Sequence, residues 1–512
     1  MRAHLASRLR SSSLSAVPPP QSSSEYSNSL AKTAASILYR SPIPSQTEHP
    51  IYILNAAAFP DADEVDFDKL LPYVLARLPG EEELITGTDY EVIFFAGGNP
   101  DGATSSKKNR PGWGWFIQAY HVLSRAMRKR LQKLYIVHER SWVRILVEMF
   151  STIVSPKFRR KIVHVSSLTS LGLYVPLEDL LIPPSAYLHD RRLSPDINVP
   201  YASGRRAFAV KQPFPKNAAG GTRLPRVLRE TTTFLLMEPN VKTEGIFRVP
   251  PHARLREILR EAYDRGQKFI VWKDYQSFLP LPKYPKAQDQ DYVLDEVDQK
   301  DAYNVLLAAG LIKLWYSELR QPLFPDFTYR ELKTSFKDPE LQITVEVLTE
   351  LISPTSEWSK LPMMSREILV RHLLPLLSII ASRAEENKMT AENLAVCFAP
   401  ALVCGPDQLE DAKISSMIRR ILTAAIELWS KGLAKMCGVD LEAFPKELLL
   451  PSNPTDWEDP LEAPRRPLQQ ADDYEPQTDE KHFTGIIMQD NDDTDEVPPP
   501  LPPRGGSNGR TA

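Results

Sequence analysis

A change of hydrophobic period partway along the chain restricts the fold more than any other feature. Before residue 194 the apolar residues fall in short runs with β-branched residues, at 51–54, 91–96, 134–138 and 162–165. Residues 66–78 and 115–131, lying between those runs, have the spacing of amphipathic helices. Strands that alternate with helices imply a mostly parallel sheet covered by helices, so 50–193 reads as one α/β domain. From Leu224 to about Leu441 the pattern turns almost wholly helical. Val227, Leu228, Thr231, Phe234 and Leu235 recur at helical spacing after Pro225, and 368–380 is apolar on nearly every side. That second run marks a buried central helix, with a kink expected at Pro375. Residues 272–300 form a Pro-, Asp- and Tyr-rich loop longer than a compact bundle needs.

At 512 residues the chain has room for about three domains. The 62 Lys and Arg against 65 Asp and Glu leave a net charge of -3, which gives no overall nucleic-acid footprint. No acidic residue precedes Glu25, and the Ser-, Pro- and Ala-rich start has no hydrophobic period, so residues 1–49 read as a disordered tail. Its Arg- and Ser-rich composition loosely matches a mitochondrial transit peptide, without the apolar core of a secretory signal. Cys397, Cys404 and Cys437 have no paired spacing, which fits a reducing compartment and argues against a disulfide scaffold or a zinc site. No apolar run approaches the roughly 18 residues a membrane span needs. A cytoplasmic protein, peripheral at membranes if anchored at all, is the expectation. The linker between the domains is placed at 194–205, and Phe208-Ala209-Val210 opens the packing of the next domain, 206–442.

Gly97 and Gly102 have the glycine spacing of a phosphate-binding loop, but Ala103 and Thr104 stand where that loop needs Lys and then Ser or Thr. Without the lysine the phosphates lose their main counter-charge, and nucleotide binding is not expected there. Arg125, Arg128, Lys129, Arg130 and Lys133 form one basic cluster. Lys157, Arg159, Arg160 and Lys161, with Phe158 among them, form a second. Such patches suit anionic lipid headgroups at about 1 kcal/mol per charge, or are simply a solvated face.

Three segments of the helical region carry the candidate chemistry. In Thr243-Glu244-Gly245-Ile246-Phe247-Arg248, the glycine permits a tight bend, Ile246 and Phe247 can anchor the loop in a core, and Arg248 is free to project. In the stretch from Leu311 to Leu319, an apolar stripe leaves Lys313 outside it, and Pro322-Leu323-Phe324-Pro325 stops the helix. In the third, Leu394, Cys397 and Phe398 share one face, and Asn393 near the helix start offers an amide to a partner.

Together these segments closely resemble the RhoGAP domain, with its Gly-Ile-Phe-Arg loop, its lysine helix and its Asn-Leu-Ala-Val-x-Phe-x-Pro helix. Leu134-Tyr135-Ile136-Val137-His138, 154–158 and 174–183 resemble the divergent CRAL-TRIO (Sec14-like) domain that several Rho GTPase-activating proteins carry in front. The resemblances imply a multidomain chain, an α/β Sec14-like domain followed by an all-α RhoGAP domain between disordered tails. They imply that Arg248 is an arginine finger for a Rho-family small GTPase, with Lys313 and Asn393 contacting the GTPase. The protein would then be no enzyme in its own right and need no cofactor, because magnesium and GTP belong to the partner. This sequence departs from the family at Ser317, where an arginine usually braces the loop, and at Arg320, where proline is usual. Arg320 is therefore a further GTPase-binding candidate. Two alternatives stay open: a lipid-binding or lipid-transfer protein, and a GTPase-binding scaffold without catalysis.

Residues 443–512 read as a second disordered tail. Between 451 and 496, fourteen acidic residues face three basic ones, a net of -11. At the end, Pro499 and Pro502 have the P-x-x-P spacing of a polyproline II ligand, with Arg504 to meet the acidic rim of an SH3 groove.

Overall fold

Period-two alternation sorts the strand residues onto two faces of a five-stranded sheet. The computed structural model describes residues 17–97, 113–139, 143–144, 148, 155–199, 207–210, 224–273, 284, 286–298, 301–338, 342–441 and 444. The strands are β1 (Leu38–Arg40), β2 (Ile51–Asn55), β3 (Tyr90–Phe95), β4 (Leu131–Val137) and β5 (Ile162–Val165), in spatial order β1-β2-β3-β4-β5. β1 is antiparallel to β2, and β2 to β5 run parallel, with Ile53, Ile93, Tyr135 and Val163 in register across them. Ile51, Ile53, Ile93, Phe95, Tyr135 and Val137 pack into one buried cluster with residues 168–187. Tyr52, Tyr90, Val92 and Leu131 pack on the opposite face, against α1 (Asn28–Ile37), α2 (Phe67–Leu75) and α3 (Trp113–Val122). Both faces are thus covered, as a parallel sheet requires.

Two expectations are corrected here. Residues 1–49 were expected to be a disordered tail, yet α1 and β1 lie inside that range. Ser27 caps α1 by accepting a bond from the Leu30 amide at 3.3 Å, and Ala34 and Ile37 are fully buried on α2. Small alanines allow that close approach while lowering the apparent hydrophobicity. Residues 1–16 lie outside the described residues. The helix expected over 115–131 is two helices, α3 and α4 (Arg125–Arg130), because Ser124 turns the chain and caps the second through the Met127 amide at 3.1 Å. The chain then enters β4 directly. Lys161 ties the two basic clusters together, donating to the carbonyls of Lys129 at 2.8 Å and of Leu131 at the end of α4. Arg130 pairs with Asp89 at 3.3 Å. Most of the glycine-spaced stretch, from residue 98, lies outside the described residues, as does the proline motif with Pro499, Pro502 and Arg504.

The helical half is built around one core that includes Phe208 near its start and Phe444 near its end. Its main helices are α5 (Arg226–Leu236), α6 (Ala253–Asp264), α7 (Val305–Ser317), α8 (Leu374–Ala381), α9 (Ala391–Phe398) and α10 (Gln408–Leu428). Side chains at their N-caps hold several of them. Asn304 accepts from the Leu307 amide at 3.1 Å, Thr390 from Asn393 at 3.2 Å and Asp407 from Leu409 at 2.9 Å. The irregularity expected at Pro375 is a wide π-turn over Leu369–Leu373 immediately before α8. It brings His372 fully into the core. The long loop has a use: Gln290–Asp295 is helical, and Val293 and Leu294 pack on Ile43 and Leu181 of the α/β half. The described residues of both halves belong to one compact unit. Among the described residues no helix is long and apolar enough to cross a membrane, and no group of three or more His, Cys, Asp or Glu could hold a metal ion. The three cysteines are free thiols.

Candidate functional site

The loop between α5 and α6 is fixed from several directions while its arginine stays outside. Gly245 has φ +75°, and a Cβ there would meet Val249 Cγ2 at 2.7 Å, so the bend needs glycine twice over. The Arg248 and Val249 amides both return to the Gly245 carbonyl, at 2.8 and 2.9 Å. Ile246 and Phe247 are buried, as their apolar character requires. Phe247 has φ +69°, in the left-handed region that a bulky side chain ordinarily avoids. Packing sustains that strain: the Phe247 ring meets Phe398 of α9 edge-on at 4.7 Å. Phe398 in turn meets Tyr316, and Tyr316 stacks on His372, so aromatic rings run from the loop to the centre of the core.

Polar bonds complete the seating. Lys313 of α7 is half-buried and its Nζ donates to the Phe247 carbonyl at 3.3 Å. The Gly245 amide donates to the Asn387 carbonyl at 2.9 Å. Asn387, fully buried, donates to the carbonyls of Val241 and Ile380 at 3.1 and 2.9 Å and accepts from the Met389 amide at 2.8 Å. Asn393 donates to the Lys388 carbonyl at 3.1 Å, at the edge of the same turn. Gly310 of α7 lies against the chain just after the loop, where a Cβ would meet Pro251 Cγ at 2.5 Å.

Arg248 itself is held loosely. Its side chain is 50% exposed, with Glu244 at 3.8 Å as an exposed ion-pair partner that in water is worth little. Cys397, half-buried on α9, reports where the cations sit. Burial pushes its thiol pKa up, and the charges of Lys313 and Arg248 pull against that. Two positive groups therefore face one surface beside the Asn393 helix. That arrangement suits an anionic group brought by another molecule, which the permanently charged, forked guanidinium can meet with several hydrogen bonds.

The structure thus gathers Arg248, Lys313 and the turn carrying Asn393 around one loop. Arg320 is not tied to that loop by any hydrogen bond or ion pair among the described residues. It is exposed, and Ser317 only returns its hydroxyl to the Leu314 carbonyl at 2.8 Å. Neither residue braces the loop; the Lys313 ammonium does. Asn387 escaped the sequence reading as a structural key, although a polar residue between two apolar helical runs was a visible signal. A second missed group is His372. Its ring lies between the Tyr316 hydroxyl at 2.6 Å and the Thr232 hydroxyl at 2.8 Å, joining α5, α7 and the π-turn, and burial lowers its pKa to about 3.

Comparison with known proteins agrees with both halves. Residues 48–192 match the divergent CRAL/TRIO domain and residues 225–407 match the RhoGAP domain. Rho GTPase-activating protein 1 of Mus musculus is 28% identical over 370 residues, 70% of this chain and 73% of the relative. Rho GTPase-activating protein 8 of Mus musculus is 25% identical over 367 residues, 69% and 75% of the two chains. Rho GTPase-activating protein 68F of Drosophila melanogaster is 26% identical over 367 residues, 68% and 67%.

Proposed function

We propose that this chain, a divergent CRAL/TRIO domain followed by a RhoGAP domain, stimulates GTP hydrolysis by Rho-family GTPases with Arg248 as a finger supplied in trans. Activation of Rho GTPases in general follows from the RhoGAP domain and its relatives. The finger is the finer claim. The observation that carries it is a half-exposed guanidinium on a strained loop that is fixed beneath it by Lys313, Phe398 and Asn387.

The chemistry asks for such a group. Hydrolysis of GTP spreads negative charge over the transferring phosphoryl group and the leaving phosphate. A guanidinium inserted there meets that charge in a water-poor site and needs no reorganisation, because the loop is already built. In Ras and Gα systems a finger is worth about 10³–10⁵ in rate, or roughly 4–7 kcal/mol of barrier. Lys313 holds the Phe247 carbonyl and so fixes the peptide plane that leads into Arg248. Asn393 presents its amide to the GTPase from the same face. Nucleotide, magnesium and the attacking water come with the partner.

Phosphate release from Rho-, Rac- and Cdc42-type GTPases loaded with GTP, with and without the full chain, tests the reading. Acceleration of at least one of them is the expected result. Binding without acceleration of any would favour the scaffold alternative. Two accessory proposals accompany this one. The segment with Pro499, Pro502 and Arg504 engages an SH3 domain, and the basic clusters joined by Lys161 lie against anionic lipid headgroups. Sedimentation with vesicles that contain or lack phosphatidylserine tests the second; equal sedimentation counts against it.

A further inference from the structure

We infer that the CRAL/TRIO domain is a positioning element of the activating site, acting through α6, the helix that leaves the arginine loop; the inference rests on the activator reading above. α6 begins at Ala253, five residues after Arg248, and His252 caps it by accepting from the Leu255 amide at 3.2 Å. Its two faces belong to different domains. Leu259, Ala262 and Tyr263 are buried in the helical core. Ile258, 1% exposed, is buried instead in the core beneath the sheet, with residues such as Leu177, Leu180 and Tyr187, and Leu255 packs against both cores. An isolated helical domain would leave Ile258 in water. The wedge is closed by polar groups that match residue for residue.

Arg191 pairs with Glu261 at 2.6 Å. Gln267, also 1% exposed, donates from Nε2 to the carbonyls of Leu177 and Leu180 at 2.9 and 2.7 Å. Lys268 donates its amide to the Glu178 carbonyl at 2.9 Å and pairs its ammonium with Asp179 at 2.7 Å. A second contact is made by the segment at 286–298, where Arg77 meets Glu296 at 2.7 Å. No hydrogen bond or ion pair among the described residues joins 17–199 to Arg248, Lys313 or Asn393. The CRAL/TRIO domain therefore holds the back of α6 and leaves the guanidinium open. A helix held on both faces fixes where its preceding loop stands, and misplacement of a catalytic group by about 1 Å costs on the order of 100-fold in rate. Arg191 and Gln267 are thus positioning residues, and whatever binds the CRAL/TRIO domain reaches the GTPase rate through α6.

The test uses the full chain with Arg191→Glu, Glu261→Arg, the two together, and Gln267→Met as a change without charge. Glu261 also meets Arg265 at 3.7 Å, so Glu261→Arg alone would face a like charge; the pair of reversals therefore carries Arg265→Gln as well and is then the decisive arm. Single-turnover GTP hydrolysis is followed against activator concentration, with amide hydrogen exchange of 253–264 measured in parallel. Each single change is expected to lower the maximal rate about tenfold, short of the penalty for a full ångström, with the half-saturating concentration unchanged and exchange in α6 raised. The double reversal is expected to recover both. Faster exchange with an unchanged or higher rate overturns the inference, as does a double reversal that recovers neither. If the wild-type chain accelerates no GTPase, the activator reading has failed. The exchange arm then still tests the grip on α6, and unchanged exchange in every variant overturns it separately.

Discussion

Gly310→Ala adds one methyl group to the middle of α7, and its consequence is set by the space around it. On helix propensity alone the change should stabilise the protein by about 1 kcal/mol. The added Cβ would stand 2.5 Å from Pro251 Cγ and 3.3 Å from Pro251 Cδ. Carbon atoms prefer separations of about 3.5–4.0 Å, so the ring must retreat by roughly 1 Å. A proline ring cannot step aside by a rotamer change, and Pro251 lies three residues from Arg248. Overpacking of this kind costs about 1–3 kcal/mol, which offsets or exceeds the propensity gain. The net stability change is then small, between no change and about 2 kcal/mol of loss. The rate should suffer more, by about 10–100-fold, because the displaced segment carries the guanidinium. Thermal unfolding and single-turnover GTP hydrolysis on one preparation separate the two quantities. A variant stabilised by about 1 kcal/mol with full activity would refute the reasoning, since the contact would then not constrain the loop.

Three further outcomes are expected. Ser317→Arg should raise the rate of stimulated hydrolysis, because neither Ser317 nor Arg320 braces the loop now; unchanged or slower kinetics would speak against it. Asn387→Ala strips partners from the buried Val241 and Ile380 carbonyls and the Met389 amide, and should cost about 2–4 kcal/mol in urea unfolding. A loss below about 1 kcal/mol, the worth of a single ordinary hydrogen bond, would show those groups are satisfied otherwise. His372 is neutral in the fold, with a pKa lowered to about 3, while in the unfolded chain it takes up a proton near pH 6.5. Its contribution is therefore complete above pH 6.5 and falls by up to about 1.4 kcal/mol per unit between 6.5 and 3. Unfolding at pH 8 and pH 5 should show a steeper acid loss for wild type than for His372→Gln, and equal slopes would count against this assignment.

The four parallel strands were legible because each is a short apolar run with β-branched residues set among helix-period stretches, whereas β1 was hidden in the presumed tail. The arginine loop was legible because Gly245, the buried Ile246-Phe247 pair and Arg248 state its geometry in four residues. Other features depend on contacts between distant segments. Leu30, Ala34 and Ile37 hide a helical stripe under serines and alanines, and it becomes visible only against α2. Ile258 reads as an ordinary apolar position of an amphipathic helix, and nothing local says that its partner lies in the other domain. The positive φ of Phe247 is imposed by Phe398, about 150 residues away in sequence, so no local propensity could announce it. Arg320 sits seven residues, about two helical turns, past Lys313 in the sequence, but the helix ends at Ser317 and Arg320 is exposed.

The most direct measurement is the maximal single-turnover rate of GTP hydrolysis by a responsive Rho-family GTPase at saturating activator, for wild type and Arg248→Ala. The account predicts a fall of about 10³-fold or more with the half-saturating concentration little changed. Equal maximal rates for the two proteins would contradict it.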